Sequence, residues 1–406
     1  MQEEPTARMA QVPRPYRPYL TIYVVWHPRF RAGRGIADRI YTHFCRDVRL
    51  PMSRTLGIPV FFRSTPASKE ARLPLEIALD ESRHSAVVAL VDDHMVSDDR
   101  WCRYIKAIWR KTGGSRSPHR LYPVALTRNA FNLDRKVAQN NFIRLYDHGR
   151  EAGRSLLTST LTHELCRILL NRPRLAQLGT AGKVRFSPGP VRLFISHAKA
   201  DGLKEAEALQ RYVATQTSLK TFFDAHDLPP GFDFQKEITA SAAQCALIAV
   251  KTDAYASREW CRREVVAAKR YGSPLIVVNA VRHGEDRSFP YMGNVPTIRW
   301  TSASTRCLKA VTDLALAEVL RHAYFKGHLE TMSRLAGVRG KRVCLPRPPE
   351  LLTLLNVASP SNGRGGRPTT VIYPDPPLGD EEMDLVTELA PGTVMTTPTQ
   401  LPMNGG

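Results

Sequence analysis

Apolar residues in this chain fall into short runs separated by longer stretches with helical spacing. One series of runs lies at 20–26, 58–62, 85–91 and 121–126, and a second at 191–196, 219–223, 245–250 and 274–281. Runs that are short and apolar at nearly every position predict strands buried on both faces of a parallel sheet. The intervening stretches, apolar at every third or fourth position, predict the helices that cover it.

The two series share an order of landmarks. In the first, an opening strand at 20–26 leads to a strand closing on Phe61-Phe62. The apolar run 85–91 follows, then Trp101-Cys102-Arg103, the strand 121–126 and a short strand at 142–145. In the second, 191–196 leads to Phe222-Phe223, the run 245–250, Trp260-Cys261-Arg262, the strand 274–281 and a short strand at 297–300. Such ordered self-similarity marks tandem copies of one unit. The fold class expected is therefore α/β, with two flavodoxin-like, doubly wound parallel-sheet domains. Folds of this kind bind ligands beyond the carboxyl ends of the strands, where chain order reverses. That directs attention to the residues following Phe194 and Phe223.

Proline, glycine and the loss of periodicity set the boundaries. A flexible N-terminus spans 1–18, a first domain 19–171, a linker 172–190 and a second domain 191–335. A Pro/Gly-rich linker follows at 336–369, then a C-terminal βα tail, 370–406, with a strand at 370–373 and a helix at 379–389.

Composition narrows the function. The formal net charge of +20 favours contact with polyanions, but the basic residues are dispersed. They form no stripe interleaved with aromatics and no helix-turn-helix or finger pattern, so no specific nucleic-acid partner is expected. The seven cysteines are scattered without a CxxC pair, which fits reduced thiols in a cytoplasmic protein. No apolar run is long enough to span a membrane, and the N-terminus lacks the apolar core of a secretory signal. No His/Cys cluster has metal-ligand spacing, and neither a Walker loop nor a GxGxxG follows a strand.

Three stretches of the second copy carry a resemblance. They are Leu193-Phe194-Ile195-Ser196-His197-Ala198, the segment from Phe222 to Gly231, and Ser257-Arg258-Glu259-Trp260-Cys261-Arg262-Arg263-Glu264-Val265. Taken together and in this order, they resemble the opening strand, second strand with its loop, and Trp-x-x-x-Glu helix of the TIR (Toll/interleukin-1 receptor) family. In NAD-cleaving members the Glu of that motif is catalytic, which implies the role for Glu264. The resemblance further implies substrate contacts from Phe194, Ser196, His197, Asp227, Gly231 and Trp260. NAD is then a substrate, with no cofactor and no metal, and self-association through TIR domains is expected. Further partners would be another TIR-containing protein or an upstream sensor, in bacterial immune or anti-phage signalling.

Elementary chemistry agrees with the spacing. Trp260 and Glu264 are four apart and share a helix face, and Ser257 is a fair N-cap. Nicotinamide is a cationic leaving group, so one carboxylate near the ribose can stabilise the positive charge left on the sugar. Plainer roles stay open: Trp260 and Phe194 also suit packing, and Glu264 beside Arg262 and Arg263 also suits a solvated helix face. In the first copy Ile105 stands where Glu264 stands in the second, and Arg63-Ser64-Thr65 follows Phe62. That copy reads as a non-catalytic TIR-like partner. Two alternatives remain: a non-enzymatic TIR–TIR scaffold, and a glycosidase acting on a smaller nucleoside or nucleotide.

Overall fold

The computed structural model describes residues 16–50, 55–112, 117–139, 141–170, 191–217, 219–223, 245–284, 288–357 and 368–401. The first sheet contains β1 (Leu20–Trp26), β2 (Val60–Arg63), β3 (His84–Val91), β4 (His119–Ala125) and β5 (Ile143–Arg144), in the order β2-β1-β3-β4-β5. Its helices are α1 (Gly33–Phe44), α2 (Asp99–Thr112) and α3 (Arg150–Leu170). The second sheet contains β6 (Arg192–His197), β7 (Lys220–Phe223), β8 (Cys245–Lys251), β9 (Leu275–Asn279) and β10 (Thr297–Arg299), in the order β7-β6-β8-β9-β10. With it go α4 (Leu203–Gln216), α5 (Glu259–Arg270) and the long α6 (Thr305–Leu335). Strand pairs in both sheets are parallel. Numbered within each unit, both orders read 2-1-3-4-5, the doubly wound pattern expected from the repeat.

The pleat divides each central strand between two cores. Leu20, Ile22, Val24 and Trp26 of β1 enter one cluster, and Tyr23 and Val25 enter another with Trp101, Ile105 and Ile108 of α2. On β6, Leu193 and Ile195 point into the same cluster as Ile22 and Val24, whereas Phe194 faces Tyr255, Cys261 and Val265. Residues of α1, α3, α4 and α6 fill that shared cluster, so the two sheets bury their inner faces against one common helical layer. Among the described residues, a Trp-bearing helix covers each outer face, α2 on the first sheet and α5 on the second.

Helix α6 begins at the N-cap Ser304, whose side chain accepts from Cys307 N at 3.4 Å. Its 31 residues are buried on several faces. Against α3, Cys166 Sγ donates to Leu316 O at 3.5 Å and Ser159 Oγ to Asp313 Oδ1 at 2.7 Å. Against the first sheet, Tyr324 Oη donates to Gly57 O at 3.3 Å. Gly327 lies under the Tyr19 ring, where an added Cβ would come within 1.9 Å of Cζ.

The segment 336–369, expected to be a linker, contains β11 (Arg342–Cys344) and α7 (Leu351–Val357). With β12 (Thr369–Ile372), α8 (Asp380–Leu389) and β13 (Thr393–Thr396) they make a third, three-stranded parallel sheet, β11-β12-β13, with its own small apolar core. A three-residue strand has too few positions to show periodicity, and its partner lies across a Pro/Gly-rich stretch. The unit is tied to α6 and the second domain. Leu329, Met332 and Ala336 pack on Ile372 and Leu401. Arg347 Nε donates to His322 Nε2 at 3.1 Å, and its guanidinium also reaches Ser273 O at 3.1 Å. His322 Nδ1 lies 3.0 Å from Glu318 O, the pattern of a neutral imidazole donating at Nδ1 and accepting at Nε2. Lys269 Nζ bonds Glu350 Oε2 at 2.6 Å.

Gly327→Ala should destabilise the chain by about 1–3 kcal/mol through overpacking against Tyr19. That outweighs the gain of about 1 kcal/mol expected when Ala replaces Gly in a helix. A urea midpoint equal to or above that of the wild type would refute the close approach.

Burial lowers the pKa of several histidines: His84 to about 4, His322 well below its ordinary value with the Arg347 charge adding, and His43 and His328 in the same direction. Each is held neutral in the fold, so below an unfolded pKa of about 6.5 the unfolded chain binds more protons. Stability present above that pH should be lost as pH falls through 6.5 towards 4. A urea midpoint that stays flat or rises between about pH 7.5 and 5 would contradict this.

Candidate functional site

The helix bearing Glu264, α5, begins at the fourth residue beyond Tyr255, which itself lies just past the carboxyl end of β8. Helix α5 has Arg258 as its N-cap, and Ser257 is instead occupied locally, its Oγ donating to Ala254 O at 2.7 Å. The expected Ser257 cap is therefore corrected: the turn before α5 closes on itself one residue earlier. Cys261, Glu264, Val265 and Ala268 form the buried stripe of α5, at the spacing of a helix laid on a sheet.

Glu264 is 4% exposed, and Phe194, Ser196 and His197 of β6 are buried with it at the carboxyl rim. The fully buried Tyr255 links these elements, its hydroxyl 2.7 Å from Ser196 Oγ. Burial pushes the Tyr255 hydroxyl well above its ordinary pKa, and the nearby charges of Glu264 and Cys261 push it further. It is a neutral phenol at working pH. Cys261 Sγ donates to His197 O at 3.4 Å, fastening α5 to the end of β6. Asp201, in the turn after β6, accepts from Thr252 Oγ1 at 2.7 Å and Ala254 N at 2.9 Å, fastening that turn to the one carrying Tyr255.

Among the residues singled out by sequence, Phe194 and Ser196 alternate onto the face covered by α5, which carries Glu264, whereas the His197 side chain alternates onto the other face and meets α5 only through its backbone carbonyl. Trp260 stands apart. It is 65% exposed, with the Arg263 guanidinium 5.2 Å from its ring centre. On a regular helix it lies about 40° round from Glu264, so Glu264 sits at the border between the buried stripe and the exposed ring. Asp227 and Gly231 lie outside the described residues, as do His226 and the loop at 227–232. Tyr255 escaped the sequence reading. Its signal was position alone, an aromatic shortly after an apolar strand where such sheets present ligands.

The equivalent place in the first domain is filled. Trp101 is 1% exposed, its ring 5.3 Å from that of the buried His27, and Ile105 is fully buried in the same core. No carboxylate stands at Ile105, and the surroundings are apolar.

Among the described residues no group of three or more His, Cys, Asp or Glu is placed to hold a metal, and no helix is long and apolar enough to cross a membrane. What remains is a buried carboxylate beside a neutral phenol and an aromatic wall, suited to meeting positive charge on an organic substrate.

Residues 193–310 match the family model described as TIR domain. The second domain of this chain is a TIR domain. No curated protein matches the chain. Among solved structures, similarity extends to tagatose-6-phosphate ketose/aldose isomerase from Escherichia coli, at 10% identity and a TM-score of 0.22, covering 76% of this chain and 83% of that one. It extends also to a protein described as sugar binding from Salmonella typhimurium LT2, at 10% identity and a TM-score of 0.19, covering 74% and 88%. Scores this low carry no argument about function, and the fold rests on the sheet orders above.

Proposed function

We propose that the TIR domain of this chain is an NAD glycohydrolase in which Glu264 is the catalytic carboxylate. The observation that carries this reading is the burial of Glu264 beside Tyr255 and Ser196, at the strand ends where this fold binds ligands. A solvated helix charge would have stayed in water. A carboxylate kept in a low-dielectric site is worth more to a cationic transition state than one on the surface.

In the proposed reaction the bond between nicotinamide nitrogen and ribose C1′ breaks, and its electron pair leaves with the nicotinamide. Glu264 stabilises the positive charge left on the sugar. Water attacks C1′ and loses a proton, giving ADP-ribose and nicotinamide. Capture of the same cation by the adenine ring would give a cyclic product instead. Phe194 and Ser196 shape the wall behind Glu264, and Asp227 and Gly231 are proposed to complete the site. The first domain is proposed as a non-catalytic, TIR-like partner, since Trp101 and Ile105 occupy the corresponding space. The setting we infer is a cytoplasmic bacterial defence response.

One observation favours a second reading, a TIR–TIR scaffold. Trp260 is a large exposed aromatic, backed by Arg263, on the helix that carries Glu264. Tryptophan and arginine are enriched among the residues that dominate the energy of protein–protein interfaces. The two readings join if association through this face opens the buried carboxylate to substrate.

Purified full-length protein at high concentration should release nicotinamide from NAD. Glu264→Ala and Glu264→Gln should each lower the rate by about 10²-fold or more while leaving the thermal midpoint near the wild type. Turnover that survives both substitutions removes Glu264 from the mechanism. A wild type that stays inert even when crowded or clustered supports the scaffold.

A further inference from the structure

A cleft of about 700 Å³ opens at the same carboxyl rim, but over the other face of the sheet from Glu264. It lies between the first turn of α4 and the turns that follow β9 and β10. Ala280 and Trp300 in its lining belong to the inner core shared by the two sheets, whereas Glu264 lies on α5, which covers the outer face. Its size suits a small metabolite.

Its charges are unevenly matched. Three cations line it, Lys204, Arg282 and Arg299, against one carboxylate, Glu205. Arg282 and Glu205 pair at 2.6 Å, with the arginine side chain 65% exposed and the carboxylate side chain only 5%. Lys204 and Arg299 are exposed and have no ion-pair partner among the described residues. The second oxygen of Glu205, Oε2, is buried and accepts no hydrogen bond. Buried carboxylate oxygens are ordinarily satisfied; Oε2 is closed to solvent and has no donor in the protein, so a ligand in the cleft reaches it once the Arg282 side chain moves aside. The turn bearing Arg282 is fixed from behind, since Asp253 accepts from the backbone N–H of Arg282, His283 and Gly284 at 3.0–3.1 Å.

We propose that this cleft is a second ligand site, for a small phosphorylated sugar. The phosphate would lie against Lys204 and Arg299 near the N-terminal end of α4, where the helix dipole adds to their charge. A sugar hydroxyl would donate to Glu205 Oε2. The partly buried Trp300 ring offers a flat wall for the sugar. The exposed Arg282 side chain, which covers the carboxylate, is the piece that swings from Glu205 to the phosphate as the ligand enters. Inorganic phosphate could offer a P–OH to Oε2 only by turning away from the cations, whereas a sugar phosphate carries its hydroxyls apart from the charged group, and for that reason a sugar phosphate is assigned.

The test is calorimetric titration of the full chain with ribose 5-phosphate and, separately, with inorganic phosphate. Ribose 5-phosphate should bind saturably and about tenfold or more tighter than phosphate. Arg299→Ala should weaken it by about tenfold or more, since a charge-assisted bond is lost. Glu205→Gln should bring it down towards the affinity of phosphate, and Glu264→Ala should leave it unchanged. Failure of ribose 5-phosphate to saturate, equal affinity for phosphate, or indifference to Arg299→Ala would each overturn the site. So would loss of binding in Glu264→Ala, which would put the ligand at the other face. Should Glu205→Gln fail to fold, Arg299→Ala, at an exposed position, decides alone. None of these results depends on NAD turnover.

Discussion

The structure depends on the burial of α6. A 31-residue helix with apolar side chains on several faces cannot stand at a surface, and here it does not. One stretch lies in the helical layer between the two sheets, another reaches the Tyr19 and Gly57 region of the first domain, and its last turns carry the third sheet. Apolar transfer supplies the driving force, and the directional bonds set the register. Ser159 with Asp313, Cys166 with the Leu316 carbonyl, and Arg347 with His322 each fix one point along the helix. Removing the helix would expose the inner faces of both large sheets together, which makes the three units one folded body rather than beads on a string.

This arrangement explains why the outer faces differ. With their inner faces consumed by the shared layer, each domain keeps only the rim and the outer face for chemistry. In the first domain that face is sealed, with Trp101 inside and Ile105 where a carboxylate would stand. In the second, the corresponding tryptophan is turned out to solvent and the carboxylate is turned in. Two domains with the same strand order thus use the corresponding helix in opposite ways.

The strand pattern was legible because parallel strands buried on both faces are apolar throughout, and the strand limits in both sheets fall within a few residues of those read from the sequence. The contact between the copies was not legible. It joins α3 and α6, 150 residues apart in the chain, and nothing in either helix alone names its partner. The third sheet was missed for a related reason, since β11 has three residues and gains its meaning only from β12. Glu264, Phe194 and Ser196 were singled out through motif and spacing and lie on the outer face, whereas His197, singled out in the same way, turns its side chain to the inner one. Tyr255 was not, because a tyrosine in a turn carries no pattern until the fold drives it beneath the rim. The cleft residues escaped for the same cause, since Glu205 and Arg282 look like ordinary surface charges when read singly.

The two faces of the second sheet meet in one short turn. Residues 252–255 follow β8, and within them Tyr255 enters the outer core beside Glu264 while Asp253 grips the backbone of Arg282, His283 and Gly284. Thr252 and Ala254 are held in addition by Asp201, which precedes α4 and so stands at the base of the helix bearing Lys204 and Glu205. Any displacement of Arg282 or of the first turn of α4 therefore acts on the same four residues that position Tyr255. The bonds involved are charge-assisted, made to aspartate carboxylates, and each ties one turn to another, so donor and acceptor must move together or part. The residues proposed for the two sites are thus joined through one turn, 252–255, by the carboxylates of Asp201 and Asp253.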